Sequence, residues 1–307
     1  MDNLTHSLIG AALGQAGLKR TTGLAMPTLI IAANLPDIDA GSVIYGLESL
    51  SMRRGITHGP LALLVLPLVL AWAIRAFDRW QTRRGTRPAS RAPLQFGWLV
   101  ALAYIGTLTH PAFDWLNNYG IRLLEPFSSR WLYGDALFII DVWILAALGS
   151  GIWWSLRRER ASAANWMAPA RIALAAVLGY VTLNLGISAR AVHWARGDEP
   201  YPQIAVANAV PLAFWRREVL WRGEAGYGSM DYSLFGTGRR IELPKPVGMD
   251  DPRIAAWSKD DPAAAAFLFW ARMPIAELQT DRIVLRDQRF MNPLAADQFS
   301  VTLKPAR

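Results

Sequence analysis

Two side chains able to hold a metal ion or move a proton stand four residues apart in the stretch LTHPAFDWLNNYG, where His110 and Asp114 share one helix face. Residues of the same chemical kind recur in short motifs elsewhere: His6 in MDNLTHSLIG, Asp37 and Asp39 in NLPDIDAG, His58 in RRGITHGP, and Asp135 and Asp141 in YGDALFIIDVW. Imidazole and carboxylate together suit zinc, manganese or iron, and carboxylate-rich sets favour the harder ions. Several acids gathered in one cavity repel one another unless cations lie between them, so bound divalent ions would remove that cost. Arg53 and Arg54, just upstream of His58, suit either a phosphate contact or anchoring at a membrane interface. The chain has no cysteine, which excludes disulfides and thiolate ligands, and no G-x-S-x-G nucleophile motif, which disfavours a serine hydrolase.

Singly, these motifs have ordinary readings. PDID is a common turn and helix-cap sequence, and Asp135 fits the cap of a following helix. Asp141, inside LFIIDVWIL, is the hardest to explain as structure, because an unpaired carboxylate in an apolar helix is costly.

The elements that must position these groups are apolar. Of 307 residues, 52% are hydrophobic and only 18% charged, against about 25% charged in soluble domains. Four segments approach the length of a bilayer crossing, about 20 apolar residues. Residues 56–74, 92–113 and 172–189 carry no formal charge, and residues 136–156 carry only Asp141. Before them, two apolar runs separated by Lys19 and Arg20 are each short for a full span and read as a helical hairpin. The start MDN lacks the basic region of a cleavable signal peptide.

Positive charge fixes an orientation. Residues 75–91 hold six arginines against Asp78, and residues 157–171 hold four against Glu159, which together account for the net charge of +8. Basic connections beside apolar helices mark the cytoplasmic side, so the charge predicts topology and not a nucleic-acid partner. His6, the PDID turn, His58, His110, Asp114 and Asp141 then all fall at the outer face. Beyond residue 189 the pattern changes. REVLWRGEAGYGSMDYSL reads as a hairpin, RIVLRDQRFM and FSVTL as further strands, and the two Asp-Pro sites of DPRIAAWSKDDPAAAAFLFWARMP as helix starts. The expected fold is therefore mainly α: a polytopic membrane bundle of four long transmembrane helices and a short N-terminal hairpin over 1–189, followed by a small extracytoplasmic α+β domain over 190–307.

Five ordered motifs, MDNLTHSLIG, ANLPDID, RRGITHGP, LTHPAFDWLNNYG and WLYGDALFIIDVW, resemble the family of LexA-regulated inner-membrane metal-dependent hydrolases (YdjM-like). The likeness is close over residues 1–145 and looser in ANAVPLAFWRREV and GSMDYSL. That family is distantly similar to the zinc-dependent phospholipase C and single-strand nuclease superfamily. The resemblance implies a bacterial inner-membrane location and metal ligation by His6, Asp37, Asp39, His58, His110, Asp114 and Asp141, with Asp135 a further candidate.

The expected activity is metal-dependent hydrolysis of a phosphoester in a membrane lipid or lipid-linked phosphate, using zinc, or else manganese or iron. Asp37 or Asp39 would serve as general base. A metal-ion or proton-coupled transporter would use a similar His/Asp inventory, but its ligands belong near mid-membrane, with a path to both sides. The orientation is open to direct measurement. A reporter active only outside the cytoplasm should be silent when fused after Ser90 and active when fused after Gly197. Activity at Ser90 would overturn the orientation and the common outer face.

Overall fold

The computed structural model describes residues 1–197, 202–236, 239–240, 244–291 and 296–305. The chain divides into two compact units, Met1–Ile38 with Arg54–Leu185, and Asp39–Arg53 with Gly186–Arg307.

The first unit begins with α1 (Asn3–Gln15), whose start is fixed by Asp2: its carboxylate accepts from Thr5 N at 3.0 Å. An N-cap of this kind contributes about 1 kcal/mol. After a connection that includes a 3₁₀ turn (Leu18–Arg20), α2 (Ala25–Asn34) runs back along α1, with Ser7 beside Asn34 and Gly14 against Met26. A 3₁₀ segment, Leu35–Glu48, follows and leads to the one-turn α3 (Ser49–Met52). The long helices α4 (Pro60–Arg83) and α5 (Phe96–Trp115) come next, then α6 (Val142–Arg160) and α7 (Ala168–Arg196). α7 contributes residues to both units.

α2 is the centre of this unit. Its Ala25, Thr28, Leu29, Ala32 and Ala33 are buried, mostly against α1 and α5. The approach is close because the facing residues are small. A Cβ on Gly106 of α5 would stand 2.6 Å from Ala32 Cβ and 2.9 Å from the Leu29 carbonyl oxygen. Small residues are what allow helix backbones to pack this tightly in a membrane protein.

Three helices, α4, α5 and α7, are long and apolar enough to cross a membrane. The expected fourth span, residues 136–156, is not one continuous helix: α6 begins only at Val142. The preceding residues are committed elsewhere. Gly134 N donates to Trp115 O, and Ala136 N and Leu137 N both donate to Leu116 O. They satisfy carbonyls at the end of α5 that have no partner within that helix. What remains uncharged in α6, residues 142–156, is 15 residues long.

The basic connections meet at one end of this unit. Lys19 pairs with Glu159 at the end of α6, and Arg171 Nε donates to Ala16 O at 2.9 Å. Gln95 N donates to Thr22 Oγ1 at 2.7 Å. Since α1 runs away from His6 and α5 runs towards His110, the histidine-bearing ends lie opposite.

The second unit contains two antiparallel sheets. One has the order β1 (Ile204–Ala209), β2 (Arg216–Gly223), β3 (Gly226–Ser233) and β4 (Arg239–Arg240). The expected hairpin is β2–β3, closing at Gly223 opposite Gly226. Val219, Trp221, Met230 and Tyr232 of this sheet pack with Ile187, Ala191 and Ala195 of α7. The other sheet joins β5 (Pro274–Leu278), β6 (Ile283–Asp287) and β7 (Ser300–Leu303). Both Asp-Pro sites start helices: Asp251 caps α8 (Pro252–Ser258) and Asp261 caps α9 (Pro262–Trp270), on which α3 packs. A buried ion pair, Asp287 with Arg289 at 2.9 Å, ties the end of β6 to the turn after it. Burial would raise the Asp287 carboxyl, but the adjacent guanidinium and backbone donors hold it below its ordinary value.

The Gly106 contact makes a specific prediction. Gly106→Ala should lower thermal stability in detergent by about 1–3 kcal/mol through overpacking, and Ala32→Gly added to it should recover part of that loss. A wild-type unfolding temperature in Gly106→Ala would show that α2 and α5 are not packed as described.

Candidate metal centre

Four segments of the first unit deliver side chains to one point. His6 projects from the second turn of α1, and Asp37 from the 3₁₀ segment after α2. His58 ends a short 3₁₀ turn, Ile56–His58, immediately before α4. That turn packs so tightly that a Cβ on Gly59 would stand 2.0 Å from the Glu125 carbonyl oxygen, which accounts for glycine after the histidine. His110 and Asp114 are neighbours on α5, as their spacing required.

The geometry is compact. His110 Nε2 lies 3.5 Å from Asp37 Oδ1 and 3.5 Å from Asp114 Oδ2. His58 Nε2 lies 3.5 Å from Asp114 Oδ2, and His6 Nε2 lies 3.3 Å from Asp114 Oδ1. One ligand atom from each of Asp37, His58, His110 and Asp114 falls within 4.8 Å of all the others. The His6 ring stacks on His110 with centroids 3.8 Å apart. All three imidazoles and Asp114 have no solvent exposure, whereas the Asp37 side chain is 9% exposed.

These distances fit a shared cation. Ligands bound at 2.0–2.2 Å on a tetrahedral ion stand about 3.4 Å apart, while a direct N–H···O bond is 2.7–3.2 Å long. The tautomer of His110 points the same way. Its Nδ1 is 2.7 Å from the Ala33 carbonyl oxygen, which only accepts, so Nδ1 carries the proton. In the neutral ring Nε2 then presents a lone pair to two carboxylates, an unfavourable arrangement that a cation between them makes favourable. The oxygen and imidazole donors match zinc, and also manganese or iron.

Asp114 has two further neighbours besides the imidazoles. Arg54 Nε is 3.0 Å from its Oδ2, and the Met1 amino group contacts its Oδ1. Arg54 is itself buried, so this arginine, expected to meet a phosphate from the membrane interface, is built into the wall of the centre. Arg53 and Asp39 belong to the second unit and are not assigned to this cluster.

Asp141, expected as a ligand, is placed differently. Its carboxylate accepts from Trp143 N at 3.0 Å, from Ile144 N at 3.2 Å and from the Tyr180 hydroxyl at 3.0 Å, capping α6. Starting the helix at this residue removes the problem of a carboxylate inside an apolar helix. Asp135 has a left-handed backbone, φ 49°, and neither it nor Asp141 joins the converging ligand atoms among the described residues. Two participants escape sequence reasoning. Asn117, three residues after Asp114, bonds Arg54, and the Ala33 carbonyl orients His110. The asparagine lay in the motif already singled out; a backbone oxygen leaves no signal in residue types.

Apolar helices long enough to cross a membrane, with a buried His/Asp cluster at one end, define a membrane-embedded helical protein with a candidate metal centre. Residues 1–192 match the model of the family described as YdjM inner membrane protein, and the chain belongs to that family. It is a membrane protein, and the match extends beyond residue 145, where the close motif likeness ends. No curated protein and no solved structure matches the chain.

Metal stoichiometry in folded, monodisperse protein separates ligands from caps. His110→Ala and Asp114→Ala should lose bound metal, whereas Asp141→Ala should keep it and lose about 1 kcal/mol of stability as a cap. Wild-type metal content in His110→Ala and Asp114→Ala would exclude the centre.

Proposed function

We propose that this chain is a membrane-bound, metal-dependent hydrolase that cleaves a phosphoester in a membrane lipid or lipid-linked phosphate at the outer face of the inner membrane. The observation that carries the reading is the convergence of three imidazole Nε2 atoms and two carboxylates, with His110 fixed in the ligating tautomer by Ala33. Divalent ions held there, zinc foremost, would supply Lewis-acid chemistry at a phosphoryl oxygen and ease ionisation of water. His6, His58, His110 and Asp114 would hold the ions, and full burial would keep bulk water from competing for them. Asp37, at the cluster's edge with its small solvent exposure, takes the proton from the attacking water. Arg54 stays fixed against Asp114 and offers positive charge to a phosphoryl group.

The candidate site lies at the end of the first unit opposite the basic connections, which by the positive-inside rule supports an extracytoplasmic location for it. A substrate with one end in lipid suits a centre at that boundary.

The test uses purified, zinc-loaded protein in detergent, supplied with bis(4-nitrophenyl) phosphate or phospholipid mixed micelles. Hydrolysis should require the metal and should fall about 10²–10⁴-fold in Asp37→Asn, the range for loss of a general base. Stoichiometric metal without phosphoester hydrolysis would overturn the hydrolase reading. Metal uptake by proteoliposomes under the same conditions would support a transporter instead.

A further inference from the structure

The segment that carries His110 and Asp114 continues into a second structure, built around one buried cation. Asp114, Asn117, Tyr119 and Gly120 lie against Arg54. Asp114 Oδ2 lies 3.0 Å from Arg54 Nε, Asn117 Oδ1 accepts from Arg54 Nη1 at 2.8 Å, and the Gly120 carbonyl oxygen lies 3.4 Å from the same nitrogen. The Tyr119 ring faces the guanidinium at 4.7 Å.

Asn117 has no solvent exposure. Its side-chain oxygen accepts twice, from Arg54 Nη1 and from Tyr119 N at 2.9 Å. Both partners can only donate, so their chemistry fixes which end of the amide is oxygen and which is nitrogen. The nitrogen, Nδ2, is buried and finds no acceptor among the described residues. An unmet buried donor is costly and is rarely left so without a reason. Here it stands on the same guanidinium as a carboxylate of the candidate metal centre.

The charge of the surroundings indicates what would satisfy it. Asp37 and Asp114 contribute two negative charges and Arg54 one positive charge, and ligating imidazoles are neutral. One divalent ion leaves this set at least one charge positive, so its field favours an anion. An anion rich in oxygen supplies the acceptor that Nδ2 lacks.

We propose that Asn117 Nδ2 donates to a phosphoryl oxygen held beside Arg54, forming an oxyanion subsite of the metal centre. The proposal rests on the phosphoester reading given above. Asn117 would thus work from both ends: its oxygen holds Arg54, and its nitrogen contacts the ligand. An aspartate here could do only the first.

The test measures binding of inorganic phosphate by full-length, zinc-loaded protein in detergent, with metal stoichiometry and unfolding temperature recorded in parallel. Asn117→Asp keeps an acceptor for Arg54 and Tyr119 N but turns the free donor into a charged acceptor. It should weaken phosphate binding about tenfold or more, the loss of one charge-assisted hydrogen bond, with metal content unchanged. Asn117→Ser, which removes the amide without adding charge, should weaken it less and guards against misfolding of the first variant. Equal phosphate affinity in wild type and both variants, at full metal content, would overturn the proposal, as would absence of phosphate binding by metal-loaded wild type. Wild type that takes up no metal would instead overturn the metal centre, and phosphate binding by the metal-free proteins would still report on the Asn117 donor. Phosphatidic acid added to the micelle separates the two sources of the oxyanion. Displacement of phosphate identifies a lipid headgroup, and its failure identifies free phosphate; either supports the subsite.

Discussion

A carboxylate with no solvent exposure, Asp114 at the end of α5, must be compensated on every side, and much of the first unit is arranged to do so. An isolated buried charge costs several kcal/mol even after its surroundings relax. His6, His58, His110, Arg54 and the Met1 amino group all approach its two oxygens. They arrive from the start of α1, the turn before α4, and α5 itself, so satisfying one side chain brings separated segments together. An isolated apolar helix would have no reason to end in such a group. Within this unit the carboxylate is an organising charge as well as a candidate ligand.

Around that charge, backbone groups do as much as side chains. The Ala33 carbonyl fixes the His110 ring, and Ala33 can come close because Gly106 lets α2 approach α5. The segment after α5 folds back, so that Gly134, Ala136 and Leu137 satisfy the carbonyls of Trp115 and Leu116. Those bonds close the end of the helix that carries His110 and Asp114, and they also delay α6 until Asp141. One loop thus closes the end of α5 and sets where α6 begins.

Separation of charge along the unit links fold to function. The arginines of residues 75–91 and 157–171 and Lys19 collect at one end, the histidines, the buried acids and their partner Arg54 at the other, with apolar helix surface between. Of the clustered acids, Asp37 alone keeps some contact with solvent, so water and a polar substrate group would enter beside it. Exposed Leu61, Leu64, Leu68 and Trp72 on α4 present apolar surface of the kind that faces lipid.

The sequence by itself determined what depends on short range. Apolar length predicted α4, α5 and α7, and Asp-Pro starts predicted α8 and α9. The hairpin of β2 and β3 followed from its Gly-rich turn, and the pairing of His110 with Asp114 followed from helix geometry alone. Only the tertiary structure decided which acids converge. Asp37 reaches the cluster because α2 packs on α5, whereas Asp141 caps a helix that starts only after Gly134, Ala136 and Leu137 have spent their amides on the end of α5. Arg54, legible as a basic residue near a histidine, proved to be a buried partner of Asp114, and Asn117 gained its place through Arg54. The division has a physical reason: caps, turns and i,i+4 neighbours are set by bonds within a few residues, but a ligand set assembled across more than a hundred residues depends on how backbones pack, and backbone atoms are the same whatever the sequence.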